Sequence, residues 1–298
     1  MKPSTYDLHT HSTASDGALS PAALVEAAYN AGVRQFALTD HDTLDGLPEA
    51  QKAAAAYGDM EFYPGVELTC LWQRRVIHLL GIGINVEASQ CVDYMDRLRR
   101  LRDERAEKIA AKLEKKGLPD LLPDAQKNAG AGQIGRPHFA QAMLERGMVS
   151  TAQQAFDLWL GSGKAGDVKA EWPSLEEAVQ LVKSAGGYAL VAHPTKYKLT
   201  FTRLRALMDN LVAAGGDGLE VSYPGVTPNH LRDLLNLAQR KSLVISAGSD
   251  FHSPKQRWTA LGRFPSFEGE RHLLSYVSPK GFSVTAAPDA SGSPLSEV

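Results

Sequence analysis

The chain has 298 residues, 43% of them hydrophobic, and a formal net charge of −2. This length suits one large domain or a domain with an insertion, and the small net charge gives no global electrostatic case for binding long nucleic acid or a membrane surface. With only Cys70 and Cys91 as cysteines, no signal peptide after Met1 and no apolar run of ~18 residues, the sequence predicts a cytoplasmic protein without a disulfide framework or a membrane helix.

Strand and helix patterns alternate along both ends of the chain. Ser20 and Pro21 predict the start of a helix that ends at Gly32. Further helices are predicted over 46–57, 175–185, 201–214 and 228–240, and strands over 33–39, 61–68, 75–84, 187–192, 218–222 and 243–247. Repeated β-α units of this length predict an α/β fold built on a parallel sheet or barrel.

The alternation stops in the middle of the chain. Residues 90–116 have apolar side chains at helical spacing, and shorter helices are predicted over 137–146 and 151–160. The sequence therefore predicts three parts: a barrel formed by 1–88 and 168–282, a helical insertion over 89–167 that caps the barrel, and a tail over 283–298 that is rich in Ser, Pro, Ala and Gly.

Histidines and acids recur at the ends of the strand-like runs, where α/β barrels build their active sites. His9 and His11 are two residues apart, so on a strand their side chains point the same way. One such histidine alone is as compatible with a simple hydrogen bond, but six of them beside three acids favour a metal centre. The candidate ligands are His9, His11, Asp16, His41, Glu67, His78, His193, Asp250 and His252.

The size and chemistry of this ligand set indicate several ions. Nitrogen and oxygen donors without a thiolate suit Mn²⁺, Fe²⁺ or Zn²⁺. The set exceeds what one ion takes, and three divalent ions are the natural division. Their charge outweighs that of Asp16, Glu67 and Asp250, so the site should select an anionic substrate such as a phosphate ester.

These segments resemble the polymerase and histidinol phosphatase (PHP) family of the amidohydrolase superfamily, over about 1–85 and 170–265. The motifs that carry the resemblance are residues 7–12, 39–42, 65–67, 192–194 and 248–252. The resemblance implies a distorted (β/α)₇ barrel with up to three metals. It assigns His9, His11, Glu67 and Asp250 to one ion, Glu67, His78 and His193 to a second, and Asp16, His41 and His252 to a third. Many family members carry His where this chain has Asp16.

Within the family, the long insertion and the Gly-Arg-Pro-His segment at 135–138 are similar to the subgroup that acts on nucleoside 3′,5′-bisphosphates and on the 5′ ends of RNA. Arg102 and Arg105 lie about one turn apart on the predicted long helix, and Arg99 extends the row. Guanidinium groups can bind a second phosphate bidentately, although a solvated helix face would look the same. Arg136 is a further candidate phosphate contact. Weaker substrate-binding candidates are Lys164, Lys169 and His138.

The resulting hypothesis is a phosphomonoesterase that converts a nucleoside 3′,5′-bisphosphate, such as adenosine 3′,5′-bisphosphate, to AMP and phosphate; the choice of the 3′-phosphate comes from the resemblance. Hydroxide generated between two ions bridged by Glu67 would attack phosphorus in line, with Asp250 as a second catalytic carboxylate. Asp42 would help to protonate or position the leaving oxygen. The alternatives are a 5′→3′ exoribonuclease on short 5′-phosphorylated RNA, a histidinol-phosphate phosphatase, and a non-catalytic PHP module.

Overall fold

The computed structural model describes residues 4–279 and contains a central seven-stranded sheet. The strands are β1 Tyr6–Asp7, β2 Gln35–Leu38, β3 Glu61–Trp72, β4 Arg75–Ile82, β5 Tyr188–Val191, β6 Gly218–Ser222 and β7 Val244–Ala247. They lie in the order of the sequence, and neighbouring pairs are parallel except where β4 pairs with β3 and β5. The predicted α/β class with a parallel-rich sheet is confirmed.

The direction of β4 corrects the expectation that every strand is parallel. Gln73 and Arg74 form a two-residue turn, with φ of 46° and 64°, and such a turn joins antiparallel strands. Because β3 continues to Trp72, Glu67 and His78 lie inside this hairpin instead of at strand ends. His78 pairs with Thr69, so His78 and Glu67 share one face of the hairpin.

Nine α-helices are found in the described part of the chain. They are α1 Pro21–Asn30, α2 Leu47–Ala54, α3 Ser89–Glu114, α4 Leu122–Ala129, α5 Arg136–Glu145, α6 Ala152–Ala155, α7 Leu175–Ser184, α8 Phe201–Ala213 and α9 Pro228–Arg240. A short π-helix, Phe156–Leu160, follows α6, which shortens the helix predicted over 151–160. Ser20, Ser174, Thr200 and Thr227 cap the helices that follow them, because each side chain accepts a hydrogen bond from the first turn. Helix α4 was not predicted.

Apolar side chains bury the sheet and its helices in several clusters. One cluster joins β3–β6 to α7, α8 and α9, and another joins β2 to α1 and α2. The helices between β4 and α7 pack around a cluster of their own, which includes Ile109, Leu113, Phe139 and Met143. No helix within 4–279 combines the length and the apolar character needed to cross a bilayer. The predicted tail over 283–298 lies outside the described residues.

The segments that follow the two edge strands meet through backbone hydrogen bonds. The Leu8 amide donates to the Ala247 carbonyl (3.3 Å), and the Asp250 amide donates to the His9 carbonyl (2.9 Å). Gly248 permits this approach, since a Cβ there would lie 2.4 Å from the Cβ of His9. The sequence after β1 and the sequence after β7 are thereby held side by side, and both carry candidate ligands.

Candidate metal centre

The carboxyl ends of the parallel strands bring the predicted ligands together. His9 and His11 follow β1, His41 follows β2, His193 follows β5, and Asp250 and His252 follow β7, while the β3–β4 hairpin adds Glu67 and His78 and the loop after His11 adds Asp16. All nine side chains that the sequence nominated lie in one cluster, through the contacts described below.

Glu67 is the centre of the cluster and is fully buried. Its Oε2 lies 3.3 Å from His9 Nε2, 3.3 Å from His11 Nε2 and 3.1 Å from His41 Nδ1, and its Oε1 lies 2.9 Å from His78 Nδ1 and 3.0 Å from His193 Nε2. Each carboxylate oxygen thus faces a separate set of imidazoles. One carboxylate placed this way can bridge two neighbouring ions.

Two further carboxylates complete the cluster. Asp250 Oδ1 lies 3.5 Å from His9 Nε2 and 3.4 Å from His11 Nε2. Asp16 Oδ1 lies 3.3 Å from His252 Nε2, and Asp16 Oδ2 lies 3.9 Å from His41 Nε2. Asp16 therefore occupies a ligand position beside two histidines.

Buried polar atoms without hydrogen-bond partners show that this donor set fits divalent ions. Within the described chain, His9 Nε2, both ring nitrogens of His11, Asp16 Oδ1 and Glu67 Oε2 are buried and make no hydrogen bond. Such atoms are rare unless they serve an ion, a water or a reaction. Three groups have ligand atoms close enough to share an ion: His11, Asp16, His41 and His252; His9, His11 and Glu67; and His41, Glu67 and His78.

The electrostatics of the cluster favour ionised carboxylates. Burial alone would raise the pKa of Glu67, but the His41, His78 and His9 rings hold it well below its usual range. Burial likewise opposes the ionisation of Asp250, yet neighbouring His9 keeps its pKa well below the usual range. Burial lowers the pKa of His41 well below its usual range. Ionised carboxylates and a neutral imidazole are the forms that bind metals.

Three residues at the site have left-handed backbone conformations. The φ angles are 53° at Asp42, 26° at His193 and 49° at Asp250, each just beyond a strand. Aspartate tolerates this region, but it is unfavourable for histidine. Such conformations persist where the surroundings impose them, and they cluster at functional sites.

Two charged residues at the site were missed from the sequence. Glu220 lies in β6, is fully buried, and contacts His9 Nδ1 at 3.1 Å. Its signal was an acid inside an otherwise buried strand run, Gly218–Ser222. Lys196, in the 3₁₀ turn after His193, forms a close ion pair with Asp250 Oδ2.

A cavity of about 800 Å³ joins the metal cluster to the helical segment. Asp16, His41 and His78 line one part of it. Basic side chains from the helical segment line another part, namely Arg102, Arg105, Arg136 and Lys169. The apolar side chains of Leu71, Val76, Phe156 and Trp172 also line it. The cavity therefore joins candidate metal ligands to a group of basic side chains and an apolar surface.

Within the described part of the chain, the three cavity arginines that come from helices differ in how much of their hydrogen-bonding capacity is already used. Arg102 donates from Nε to Asp42 Oδ2 (2.8 Å), and the other oxygen of Asp42 accepts from the Thr69 amide (2.6 Å). Arg105 donates only from Nε, to the Val168 carbonyl (2.8 Å). Arg136 donates only from Nη1, to the Leu160 carbonyl (3.1 Å). Arg105 and Arg136 thus keep N–H groups for an anion, whereas Arg102 is bound to Asp42.

Three of the nominated substrate contacts do not line this cavity. Arg99 is exposed and pairs with Asp45 (2.6 Å), and Lys164 is exposed. His138 is buried, and its Nδ1 accepts a hydrogen bond from the Gly135 amide (2.9 Å) at the start of α5. Arg99 and Lys164 thus lie on the surface, and His138 lies at the start of a helix.

Comparison with known proteins supports the assignment drawn from the motifs. Residues 7–188 match the PHP domain family. The chain is 41% identical to a 5′-3′ exoribonuclease of Haemophilus influenzae, covering 87% of the chain and 93% of the relative. It is 37% identical to a 3′,5′-nucleoside bisphosphate phosphatase of Chromobacterium violaceum, covering 86% and 90%.

The fold has a counterpart among solved structures. An amidohydrolase from Chromobacterium violaceum with bound sulfate has a TM-score of 0.84 and 35% sequence identity, covering 89% of this chain and 92% of that one. The family match extends over more than half of the chain, from β1 to the start of β5, and includes six of the nine clustered residues. The chain belongs to the PHP domain family.

Proposed function

We propose that the protein is a metal-dependent phosphomonoesterase that removes the 3′-phosphate of nucleoside 3′,5′-bisphosphates. The observation that carries the proposal is one cavity with two regions, the cluster of candidate metal ligands around Glu67 and the guanidinium groups of Arg105 and Arg136. A substrate with two phosphates on one sugar matches these two regions. The relative named 3′,5′-nucleoside bisphosphate phosphatase supports the same substrate class.

The proposed architecture is a distorted (β/α)₇ barrel, 1–88 and 168–282, with a helical cap over 89–167. The hydrogen bonds between the segments after β1 and β7 support closure of the sheet. The separate apolar cluster of α3–α6 supports the cap as a unit that packs on its own core. Together these parts leave the ligand cluster at the bottom of the cavity and the arginines on its helical side.

Three divalent ions, Mn²⁺ in the first place, would occupy the cluster. The ligands of the first would be His9, His11, Glu67 and Asp250, those of the second Glu67, His78 and His193, and those of the third Asp16, His41 and His252. The bridging position of Glu67 and the purely nitrogen and oxygen donor set support this division. Fe²⁺ and Zn²⁺ suit the same donors.

The chain's own residues would orient the substrate between the two regions. Divalent ions held by the cluster would supply Lewis-acid stabilisation of the phosphoryl oxygens and activate water for attack. Arg105 and Arg136 would hold the 5′-phosphate through their free N–H groups. Asp42 accepts hydrogen bonds from Arg102 and from the Thr69 amide and would fix the loop that carries His41, so we assign it a positioning role in place of proton donation.

A specific observation also favours a second activity, 5′→3′ cleavage of short 5′-phosphorylated RNA, because the 41% identical relative is named a 5′-3′ exoribonuclease. Both reactions break a bond between phosphorus and the 3′ oxygen of a nucleotide that carries a 5′-phosphate. The RNA differs only in bearing another nucleoside on the scissile phosphate. The same two regions would therefore serve either substrate.

The test is product analysis with Mn²⁺-loaded protein. Adenosine 3′,5′-bisphosphate should yield AMP and phosphate, resolved by chromatography from adenosine 3′-monophosphate. A 5′-phosphorylated RNA trimer, tested separately, should yield nucleoside 5′-monophosphates if the second activity is present. Release of adenosine 3′-monophosphate would contradict the proposed orientation, and hydrolysis of neither substrate would contradict the proposed function.

A further inference from the structure

A single buried carboxylate behind the cluster contacts two ligands that the proposed function assigns to different ions. Glu220 Oε1 lies 3.1 Å from His9 Nδ1, and Glu220 Oε2 accepts a hydrogen bond from the His193 backbone amide (2.8 Å). Glu220 is fully buried in β6. Both of its oxygens are thus used on metal-ligand residues.

The contact with His9 determines which ring nitrogen faces the cluster. If Nδ1 carries the proton and donates it to Glu220, Nε2 presents its lone pair toward Glu67 Oε2 (3.3 Å) and Asp250 Oδ1 (3.5 Å). A carboxylate behind a ligating histidine fixes the tautomer and the ring orientation and raises the basicity of the ligand nitrogen. Nε2 is then the ligand atom.

The contact with His193 holds a backbone that is unfavourable without support. His193 has φ 26° and ψ 58°, and its ring Nε2 lies 3.0 Å from Glu67 Oε1. A histidine in this conformation is retained only where neighbouring groups impose it. The hydrogen bond from its amide to Glu220 is one such constraint, and it aims the ring at the second ion.

Other fully buried carboxylates beside the cluster behave differently. Asp7 accepts hydrogen bonds from the backbone amides of Ser249 (2.8 Å), Gly262 (2.8 Å) and His9 (3.5 Å), and burial raises the pKa of Asp7 to about 6. Asp40 accepts hydrogen bonds from the hydroxyls of Ser12 and Ser15 (2.6 Å each). Among the described residues, neither hydrogen-bonds to the ring of a candidate ligand, whereas Glu220 contacts the ring of His9.

We propose that Glu220 is a positioning residue that couples the first two metal sites, by fixing the His9 ring and the His193 backbone at once. This role rests on the proposed metal centre. The third site, formed by Asp16, His41 and His252, has no hydrogen bond with Glu220 in the described chain. Loss of Glu220 should therefore weaken the binding of two ions and leave the binding of the third unchanged.

The test compares Glu220→Gln with Asp40→Asn in metal-free protein titrated with Mn²⁺. An amide has one acceptor atom in place of two acceptor oxygens, so the glutamine cannot serve both the His9 ring and the His193 amide. We expect the affinity for two ions to fall by about 10- to 100-fold, with the third unchanged and the melting midpoint of the metal-free protein retained. Asp40 is also buried, and its side chain hydrogen-bonds only to Ser12 and Ser15 among the described residues, so Asp40→Asn should leave all metal affinities unchanged.

The outcomes separate this role from the proposed function. If the wild-type protein binds Mn²⁺ and the Glu220→Gln variant binds it with the same affinities, only the role of Glu220 is overturned. Equal weakening of all ions, together with a lowered melting midpoint before metal is added, would assign Glu220 a general structural role and also overturn the proposal. Wild-type protein that binds no divalent ion would overturn the metal centre itself, and the role of Glu220 with it.

Discussion

Replacing Arg105 by glutamine should weaken the reaction of the bisphosphate selectively. Burial, followed by the nearby charges of Arg136 and Arg102, lowers the pKa of Arg105 to about 10, so its guanidinium remains charged near neutral pH in unfavourable surroundings. It lies 5.8 Å above the Trp172 ring and uses only Nε, on the Val168 carbonyl. A bound phosphate would relieve the repulsion and accept the remaining N–H groups.

The size of the effect follows from one charge-assisted contact. A hydrogen bond to a charged group contributes about 1.5–3 kcal/mol, and about 1.4 kcal/mol corresponds to a factor of ten. The kcat/KM for adenosine 3′,5′-bisphosphate should therefore fall by roughly 10- to 150-fold. Adenosine 3′-monophosphate lacks the 5′-phosphate, so its already lower kcat/KM should not change further.

The assay is phosphate release under steady-state conditions, with both substrates and both proteins. This design is a cycle between a side chain and a substrate group, so it isolates their interaction. Arg99→Gln serves as the matched control, because Arg99 lies on the same helix, is exposed and pairs with Asp45. This variant should leave the kcat/KM for both substrates unchanged. An equal loss on both substrates with Arg105→Gln would refute the assignment of Arg105 to the 5′-phosphate.

Three other substitutions or conditions test the centre itself. Glu67→Gln should abolish turnover and lower the metal content measured by elemental analysis, since both oxygens face ligand histidines; full activity with full metal content would rule out the bridging role. Arg102→Gln should lower the free energy of unfolding by about 3 kcal/mol, because it leaves the buried Asp42 carboxylate without its ion-pair partner. It should also lower the kcat/KM for both substrates by the same factor. An unchanged stability toward denaturant would contradict this. Burial lowers the pKa of His252, but neighbouring Asp16 outweighs burial and raises this pKa to about 9 in the metal-free protein, against 6.5 for a free histidine. The resulting stabilisation is complete below pH 6.5 and is lost as the pH rises through about 9, while Mn²⁺ affinity should rise over that window because the ion displaces the proton. Denaturant titrations and metal titrations at both ends of the window check this, and a flat response would argue against it.

The clustering of the candidate metal ligands could be predicted from the sequence because these residues follow local patterns. His9 and His11 at a spacing of two, and Asp250 and His252 likewise, need only a strand or its continuation to converge. The direction of β4 was not predictable in the same way. The sequence pattern of a strand does not indicate whether the strand is parallel or antiparallel to its neighbour. Gln73-Arg74 also lacks the glycine that is typical of a two-residue turn. The hairpin that carries Glu67 and His78 therefore emerged only from the structure.

The helical side of the site shows a different limit. On the sequence, Arg102 and Arg105 are equivalent members of one basic row. The structure distinguishes them because Asp42, in a left-handed turn after β2, binds Arg102, while no carboxylate within the described residues forms an ion pair with Arg105. That partner lies 60 residues away in sequence, so spacing along α3 contains no information about it. We therefore expect different roles: the paired arginine would join the helical segment to the loop of His41, and the unpaired one would bind the substrate.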